Sequence, residues 1–258
     1  MAKRWLELPL FAVPLSWIFW ASCVLIVIAW APIMAAYRLF TFRSDPARRR
    51  SGRLHLDQAS LAVRVNPFWD FRVAGDAGLD ASRACVFVSN HRSNADPFLL
   101  SLLPWDMKFV SKTSIFRIPL LGWEMRTAGH IPITRGDANS RSAALAAMRE
   151  TLLAGASILL FPEGTRSEDG SLGPFREGGF RLAIELGVPI VPLAVRGTER
   201  ALPKHSLTLR PTSASVTVLP PIATAGLTAA DAPALAERAR AAIAGTLGGA
   251  FDARGGEG

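Results

Sequence analysis

The stretch Ala84-Cys-Val-Phe-Val-Ser-Asn-His-Arg-Ser-Asn-Ala-Asp-Pro-Phe98 runs from a short apolar segment through a polar turn into the start of a helix. Val and Phe favour strands, so Ala84–Ser89 is predicted to be a short buried strand. Pro97 suits the first position of a helix, because its φ is already helical and its missing N–H is not needed there. The stretch therefore predicts a strand–turn–helix unit.

The same alternation continues towards the carboxyl terminus. Five further strand-like runs are Lys108–Ser111, His130–Ile133, Ser157–Phe161, Ile190–Val195 and Ser215–Leu219. Helix-like stretches lie near Pro97–Leu103, Ser114–Met125, Ser140–Leu153 and Gly178–Leu186. Strands that alternate with helices favour an α/β fold with a mixed, largely parallel sheet flanked by helices. A last helix is predicted after Thr228, because Asp231 three residues later completes a capping box.

The amino-terminal part of the chain is strongly apolar. Leu8–Tyr37 contains thirty consecutive residues without a charge, and about 20 apolar residues cross a bilayer as a helix. The segment is too long for the apolar region of a signal peptide, and a buried core helix is the less fitting alternative. Prolines at 9, 14 and 32 leave two interpretations open, one kinked span or two shorter helices that dip into one leaflet.

Basic residues concentrate beside this segment. Residues 1–72 contain ten Lys or Arg and four acidic residues, so most of the formal charge of +8 lies there. A nucleic-acid-binding protein usually spreads basic groups over a folded face, so membrane lipids are the expected partner and nucleic acid is not. We interpret the polar, Arg-rich residues 43–60 as a connector along the membrane surface. The two cysteines, Cys23 and Cys85, have no disulfide or zinc-site spacing, and no metal is expected.

The charge distribution also predicts the domain organisation. The flank after Tyr37 is the more basic one, and the positive-inside tendency places everything beyond it in the cytoplasm. We expect a membrane-anchoring helical segment over residues 1–42 and one catalytic domain over residues 43–258. The predicted location is the cell membrane, with the catalytic domain on its cytoplasmic side.

The polar turn of the opening stretch contains a candidate catalytic pair. His91 and Asp96 lie five residues apart, between the predicted strand and helix. A carboxylate that accepts from one imidazole N–H fixes the tautomer and leaves the other nitrogen to take a proton from a hydroxyl. A bare His-x4-Asp is more often an ordinary loop histidine and a helix cap, so the pair needs further support.

A second motif supplies that support. Ile158–Ser167 reads as a strand that ends in a tight turn bearing Glu163, Thr165 and Arg166. Arg binds phosphate oxygens with a planar fork, and Glu163 is expected to accept from a hydroxyl; the alternative is a surface ion pair between the two, which contributes little. A third motif, Gly129–Arg135, is a short strand followed by Arg135. His130 within it is interpreted as structural.

Together these blocks resemble the 1-acylglycerol-3-phosphate acyltransferase family. The similar blocks, over about residues 84 to 196, are NHRSNADP at 90–97, GHIPITR at 129–135, FPEGTRS at 161–167 and VPIVP at 188–192. The stretches KFVSKTSIFRIPLLGW at 108–123 and FREGGF at 175–180 are also similar. The chain departs from the family pattern at Pro132 and Thr134, and at Arg176, where lysine is commoner. These departures put the identity of the acceptor in doubt.

The resemblance implies a reaction and a set of roles. His91 would be the general base and Asp96 its orienting partner, in acyl transfer from an acyl-CoA or acyl carrier protein to the hydroxyl of 1-acylglycerol-3-phosphate, without a metal or other cofactor. The resemblance also implies which residues hold the substrates: Arg135, Glu163, Gly164, Thr165, Arg166 and Lys112. The arginines would bind the phosphate, and Lys112 would lie at the acceptor or the thioester.

Two alternatives stay open. The acceptor is 1-acylglycerol-3-phosphate or another lysolipid, for example an amino-acid-containing one, because related enzymes share these blocks. The other alternative is a non-catalytic scaffold that binds anionic membranes. The presence of both His91 and Asp96 argues against the scaffold.

Overall fold

A seven-stranded sheet forms the centre of the protein. The computed structural model describes residues 9–75, 83–166, 171–203 and 205–248. In chain order the strands are β1 Trp69–Ala74, β2 Val86–Ser89, β3 Met107–Lys112, β4 Ile131–Ile133, β5 Ser157–Leu160, β6 Ile190–Arg196 and β7 Thr212–Val218. Their spatial order is β1-β7-β6-β2-β5-β3-β4.

The sheet is mixed and largely parallel. The five neighbouring strands β6, β2, β5, β3 and β4 run in one direction. The strand β7 pairs antiparallel with β6, and β1 pairs parallel with β7 at the edge. The predicted fold class is therefore confirmed, and all six predicted strands are present. The edge strand β1 was not predicted, because most of its residues face solvent.

Eight α-helices surround the sheet in the part of the chain that the structure describes. They are α1 Pro9–Thr41, α2 Arg49–Arg64, α3 Asp96–Leu100, α4 Leu121–Thr127, α5 Ala138–Leu153, α6 Gly178–Leu186, α7 Thr198–Ala201 and α8 Ala232–Gly248. A 3₁₀ turn, Ala229–Asp231, precedes α8, and Thr228 and Asp231 form the predicted capping box there. Residues 249–258 lie outside the described ranges.

Two apolar layers cover the faces of the sheet. Alternate residues of β2 point to opposite sides, since a strand has a side-chain period of two. Phe87 belongs to a cluster with Leu99 of α3 and Leu56 of α2. Val86 and Val88 belong to a second cluster with residues of α5, α6 and α8. All four residues of β2 are buried, as expected for a parallel strand covered on both faces.

The predicted helix at Ser114–Met125 is interrupted. It consists of a 3₁₀ turn, Ile115–Arg117, and the separate helix α4. Pro119 disfavours helical backbone at the residue before it, and Ile118 is accordingly extended, with φ −66° and ψ 123°. The proline therefore divides a stretch whose apolar content had indicated one helix.

The interpretation of residues 43–60 as a surface connector is wrong. Most of this region is the first three turns of α2, which packs against α1, α3, α4 and β3. Four of the eight buried residues of α2 are polar, including Ser51, His55 and Gln58. The helix is amphipathic but polar overall, so its sequence does not stand out as an apolar-periodic segment.

The amino-terminal segment is one continuous helix of 33 residues with Pro14 and Pro32 inside it, so the interpretation as two shorter helices is wrong. Ala12–Thr41 is long and apolar enough to cross a membrane, and 11% of its most apolar part is buried. One side of the helix contacts the body of the protein. Phe19 packs edge-on against Trp69 at a ring-centroid distance of 5.1 Å, and the Trp30 indole N–H donates to the Leu54 carbonyl at 3.1 Å.

Candidate active site

The candidate site lies where β2 and β5 end. These strands are parallel neighbours, with Val88 paired to Leu160. The residues that follow them, His91 and Glu163, consequently meet at one edge of the sheet. Ligands of open α/β sheets bind beyond the carboxyl ends of the strands, so the location fits a functional site.

His91 and Asp96 are in direct contact. The His91 Nδ1 and Asp96 Oδ2 atoms are 2.7 Å apart. The same carboxylate oxygen accepts from the backbone N–H groups of Arg92 at 2.8 Å and Ser93 at 3.0 Å. A carboxylate held by these donors accepts from Nδ1–H and leaves Nε2 as the proton acceptor of the ring. Asp96 is fully buried, whereas the His91 side chain is 13% exposed.

Two polar residues fix the turn that carries His91. The Asn90 side chain donates to the Val195 carbonyl and accepts from the Val195 N–H, both at 2.8 Å, which ties the end of β2 to β6. Ser93 Oγ donates to the Leu202 carbonyl at 2.8 Å. Sequence analysis assigned no role to either residue. Their polarity inside a buried turn was the available signal, since buried polar groups are normally hydrogen-bonded.

An aromatic ring supports the histidine. The ring of His91 stacks on Phe161, with centroids 4.1 Å apart and an interplanar angle of 21°. Phe161 follows β5 directly and begins the turn that carries Glu163. Packing on this ring restricts the orientation of the imidazole, and the hydrogen bond to Asp96 restricts it further. The exposed part of the ring is therefore held in one direction.

Glu163 links the His91 turn to a second loop. Its Oε1 accepts from the backbone N–H of His91 at 2.8 Å, and its Oε2 accepts from the Gly173 N–H at 3.1 Å. Sequence analysis expected this carboxylate to accept from a substrate hydroxyl. Each oxygen accepts a bond from the protein's own backbone, which is the geometry of a group that positions the histidine.

Arginines converge beside this turn. Gly164 has a φ of +76°, which favours glycine, and its N–H donates to the Phe161 carbonyl at 3.0 Å to close the turn. The pKa of Arg135 is lowered by partial burial and by the charges of Arg176 and Arg166. The charges of Arg166 and Arg176 therefore act on Arg135, although Arg135 follows β4 and lies far from the other two in sequence.

Two other predicted site residues lie further out. Thr165 is exposed on the turn after β5. Lys112 is exposed at the end of β3, which is separated from β2 by β5. Both lie at the same edge of the sheet as His91, but no contact between Lys112 and His91 is present.

His130 is structural, as the sequence interpretation held. It is buried, and its Nδ1 accepts from the Phe109 N–H at 2.9 Å. Burial, together with the nearby His55 and Lys108, lowers its pKa well below the ordinary value. The imidazole is therefore a neutral acceptor inside the fold. Within the described residues no group of three or more His, Cys, Asp or Glu side chains is arranged to hold a metal ion.

Comparison with known proteins identifies the family. Residues 70–196 match the model of the family described as Acyltransferase. The chain is 33% identical to a 1-acyl-sn-glycerol-3-phosphate acyltransferase of Chlamydomonas reinhardtii, over 90% of this chain and 68% of that protein. It is 42% identical to the chloroplastic 1-acyl-sn-glycerol-3-phosphate acyltransferase BAT2 of Brassica napus, over 56% of this chain but only 42% of that protein. This chain thus spans less than half the length of the Brassica relative.

A solved structure has the same fold. The crystal structure of the 1-acyl-sn-glycerophosphate acyltransferase PlsC from Thermotoga maritima superposes with a TM-score of 0.78, over 96% of this chain and 99% of that one, at 22% sequence identity. That likeness concerns the arrangement of strands and helices. The family follows from the Chlamydomonas relative, which is 33% identical and is matched over 68% of its length: this chain is a member of the 1-acylglycerol-3-phosphate acyltransferase family.

Proposed function

We propose that this protein transfers a fatty acyl group from an acyl thioester to the free hydroxyl of 1-acylglycerol-3-phosphate, giving phosphatidic acid for phospholipid synthesis. The observation that carries the proposal is the 2.7 Å contact between His91 Nδ1 and buried Asp96, with the His91 side chain 13% exposed. The names of the relatives agree with this reaction.

The proposed mechanism is direct transfer. His91 Nε2 takes the proton of the acceptor hydroxyl as that oxygen attacks the thioester carbonyl. The carbon–sulfur bond then breaks, and the imidazolium returns its proton to the departing thiolate, so that protons balance. Asp96 stabilises the imidazolium while it exists. General base catalysis of this kind contributes about 10²–10⁴-fold to the rate.

The remaining predicted residues surround this pair in the proposal. Arg135 and Arg166 bind the phosphate of the acceptor, because guanidinium groups bind phosphate oxygens with two parallel N–H donors. Gly164 and Thr165 form the turn beside them. Lys112, at the same edge of the sheet, lies on the approach of the acceptor or the thioester. The donor is acyl-CoA or an acyl carrier protein, and the reaction uses no metal.

We propose that α1 anchors residues 43–258 to the membrane by lying in one leaflet. Hydrogen bonds to the body run along the helix, from Ser16, whose Oγ accepts from the Leu209 N–H at 2.9 Å, to Trp30. A helix attached over that length lies beside the domain. Its other side exposes large apolar residues, namely Leu10, Val13, Trp17, Ile18, Val24, Leu25, Ile28, Ile33, Leu39 and Phe40. The Arg-rich flank favours the cytoplasmic side of the cell membrane.

An acyl-transfer assay tests the reaction. Purified protein, labelled acyl-CoA or acyl carrier protein thioester, and 1-acylglycerol-3-phosphate in vesicles should yield labelled phosphatidic acid. His91→Ala should lose nearly all turnover while its circular dichroism spectrum stays unchanged. Product with an amino-acid-containing lysolipid and none with 1-acylglycerol-3-phosphate would assign the other acceptor. If no lysolipid acceptor yields product, and His91→Ala binds vesicles as well as wild type does, the protein is a scaffold.

A pair of matched variants tests the membrane face. Leu25 in α1 and Leu153 in α5 are each 65% exposed. Burying a carboxylate in a bilayer costs free energy, whereas the same group on a solvated face has little effect. Leu25→Glu should therefore reduce cosedimentation with anionic vesicles, and Leu153→Glu should not. Equal binding by both variants would contradict the proposed orientation.

A further inference from the structure

Arg176 lies against the turn that contains Gly164. Its backbone N–H donates to the Pro162 carbonyl at 3.0 Å, which places the residue beside the turn after β5. A Cβ added to Gly164 would lie 2.7 Å from Arg176 Nε and 2.9 Å from Cζ. The guanidinium thus occupies the space that a side chain at position 164 would need. The positive φ of Gly164 favours glycine, and any side chain there would displace the guanidinium of Arg176.

The site collects positive charge that the described residues do not neutralise. Arg166 and Arg176 both act on the pKa of Arg135. None of the three forms an ion pair with a carboxylate of residues 9–75, 83–166, 171–203 or 205–248. Glu163, three residues before Arg166, has its oxygens on the N–H groups of His91 and Gly173. A bound anion would offset this repulsion.

One guanidinium nitrogen of Arg166 also lacks a hydrogen-bond acceptor among the described residues. Its Nη1 is buried and has no hydrogen-bond partner in the described part of the chain. A buried donor without an acceptor costs free energy, and a guanidinium donor costs more than a neutral one. An oxygen-rich anion at this position would accept from it and remove that cost.

We propose that Arg176, together with Arg135 and Arg166, binds the phosphate of the acceptor as a dianion and so selects phosphomonoester acceptors over phosphodiester ones. The inference rests on the proposed function and adds to it a specificity-determining residue. A terminal phosphate offers three free oxygens and carries close to two charges above its second pKa, near 6. A phosphodiester has two free oxygens and one charge, so it satisfies fewer of the three guanidinium groups.

The test compares variants of the full-length protein. Arg176→Ala removes the charge, and Arg176→Lys keeps the charge but loses the planar fork. Arg181→Ala is the matched control, because Arg181 is exposed, lies in α6 five residues after Arg176 and pairs with Glu177. Acceptor KM and kcat are measured with 1-acylglycerol-3-phosphate and with the phosphodiester lysophosphatidylglycerol carrying the same acyl chain. Binding is measured separately with a 1-acylglycerol-3-phosphate analogue that lacks the free hydroxyl.

Loss of one charged hydrogen-bonding group should raise the KM for 1-acylglycerol-3-phosphate about 10- to 100-fold in Arg176→Ala and leave kcat within a few-fold. The ratio of kcat/KM between the two acceptors should fall by a similar factor, with Arg176→Lys intermediate and Arg181→Ala unchanged. The affinity of wild type for the analogue should drop as pH falls below about 6, where the phosphate loses its second charge. In Arg176→Ala that drop should be smaller.

The outcomes separate this inference from the proposed function. If the wild-type enzyme acylates 1-acylglycerol-3-phosphate, and Arg176→Ala has the same acceptor ratio and analogue affinity as wild type, only the role of Arg176 is overturned. A wild-type enzyme inactive on this acceptor overturns the proposed function. Thermal unfolding of each variant is measured in parallel. If Arg176→Ala fails to fold, Arg176→Lys and the analogue binding decide the question.

Discussion

The carboxylate of Glu163 holds the backbone of His91: its Oε1 accepts from the His91 N–H at 2.8 Å, and its Oε2 accepts from the Gly173 N–H at 3.1 Å. The glutamate follows β5, and the histidine follows its neighbour β2. One side chain therefore connects the ends of two strands and a third loop. This arrangement assigns Glu163 to the placement of the proposed base more than to contact with the acceptor.

Glu163→Gln tests that assignment. The amide keeps the size of the side chain but has one acceptor oxygen, so one of the two N–H groups loses its partner. We expect kcat to fall about 10- to 100-fold, because a small displacement of a catalytic group costs about this much, while the acceptor KM changes little. Steady-state kinetics of the purified protein measure both constants.

The control for this variant is Glu177→Gln, since Glu177 is an exposed partner of Arg181 outside the turn. It should leave both constants unchanged. A rise in acceptor KM with an unchanged kcat in Glu163→Gln would contradict the positioning role. That result would favour the sequence-based expectation, in which Glu163 accepts from the acceptor hydroxyl.

Asp96→Asn should lower kcat by about 10²–10⁴-fold, because an amide no longer stabilises the imidazolium or enforces the Nδ1–H tautomer. The variant should also unfold at a lower temperature. The Asp96 Oδ2 accepts three hydrogen bonds inside the fold, and the amide disturbs them. Asp137→Asn is the comparison, because Asp137 caps α5 and asparagine caps helices equally well. Unchanged turnover in Asp96→Asn would exclude Asp96 from the mechanism.

Gly52→Ala should destabilise the protein, because the added Cβ would lie 2.0 Å from Lys108 Nζ and 2.2 Å from Asp106 Oδ1. These atoms form a buried ion pair of 2.7 Å. Breaking such a pair costs about 3–5 kcal/mol, and the helix propensity of alanine returns about 1 kcal/mol. We therefore expect the free energy of unfolding to fall by about 2–4 kcal/mol in chemical denaturation.

The same substitution at Gly245 provides the control. Gly245 lies in α8 with nothing within 4 Å of the added Cβ. Gly245→Ala should stabilise the protein by up to about 1 kcal/mol through helix propensity alone. A Gly52→Ala variant as stable as wild type would show that the Lys108–Asp106 pair adjusts without breaking.

Glu124 makes stability depend on pH. Burial raises its pKa to about 7, against the hydrogen bond that it accepts from Gln58. The folded protein therefore keeps a proton on Glu124 at pH values where the unfolded chain has released it, and this difference stabilises the fold. The stabilisation is complete below the ordinary pKa of glutamate. This stabilisation is lost as pH rises through about 7. Glu124→Gln has no such proton, so its stability relative to wild type should grow between about pH 5 and 8.

Thermal unfolding of both proteins across this range measures the difference. Other buried groups, such as His55, whose pKa burial lowers to about 4, are present in both and cancel. A difference between the two proteins that stays constant with pH would show that Glu124 keeps an ordinary pKa in the fold.

The two helices of the amino-terminal region show where sequence patterns succeed and fail. A long uncharged run at Leu8–Tyr37 indicated a helix, and α1 covers the run from Pro9 onward. The helix α2 was missed because its sequence is polar overall and half of its buried residues are polar, including Gln58, which donates to Glu124. A search for apolar segments finds a helix such as α1 and passes over one with so few apolar residues.

The sequence by itself determined six of the seven strands and their order, the sheet class and the two residues of the proposed catalytic pair, because hydrophobic alternation and turn residues act over a few positions. Only the tertiary structure decided that Glu163 supports His91 and that Arg176 covers Gly164 beside Arg135. These contacts join residues far apart in the chain, and no local pattern encodes them. Their geometry follows from which strands are neighbours in the sheet and how the loops beyond those strands pack.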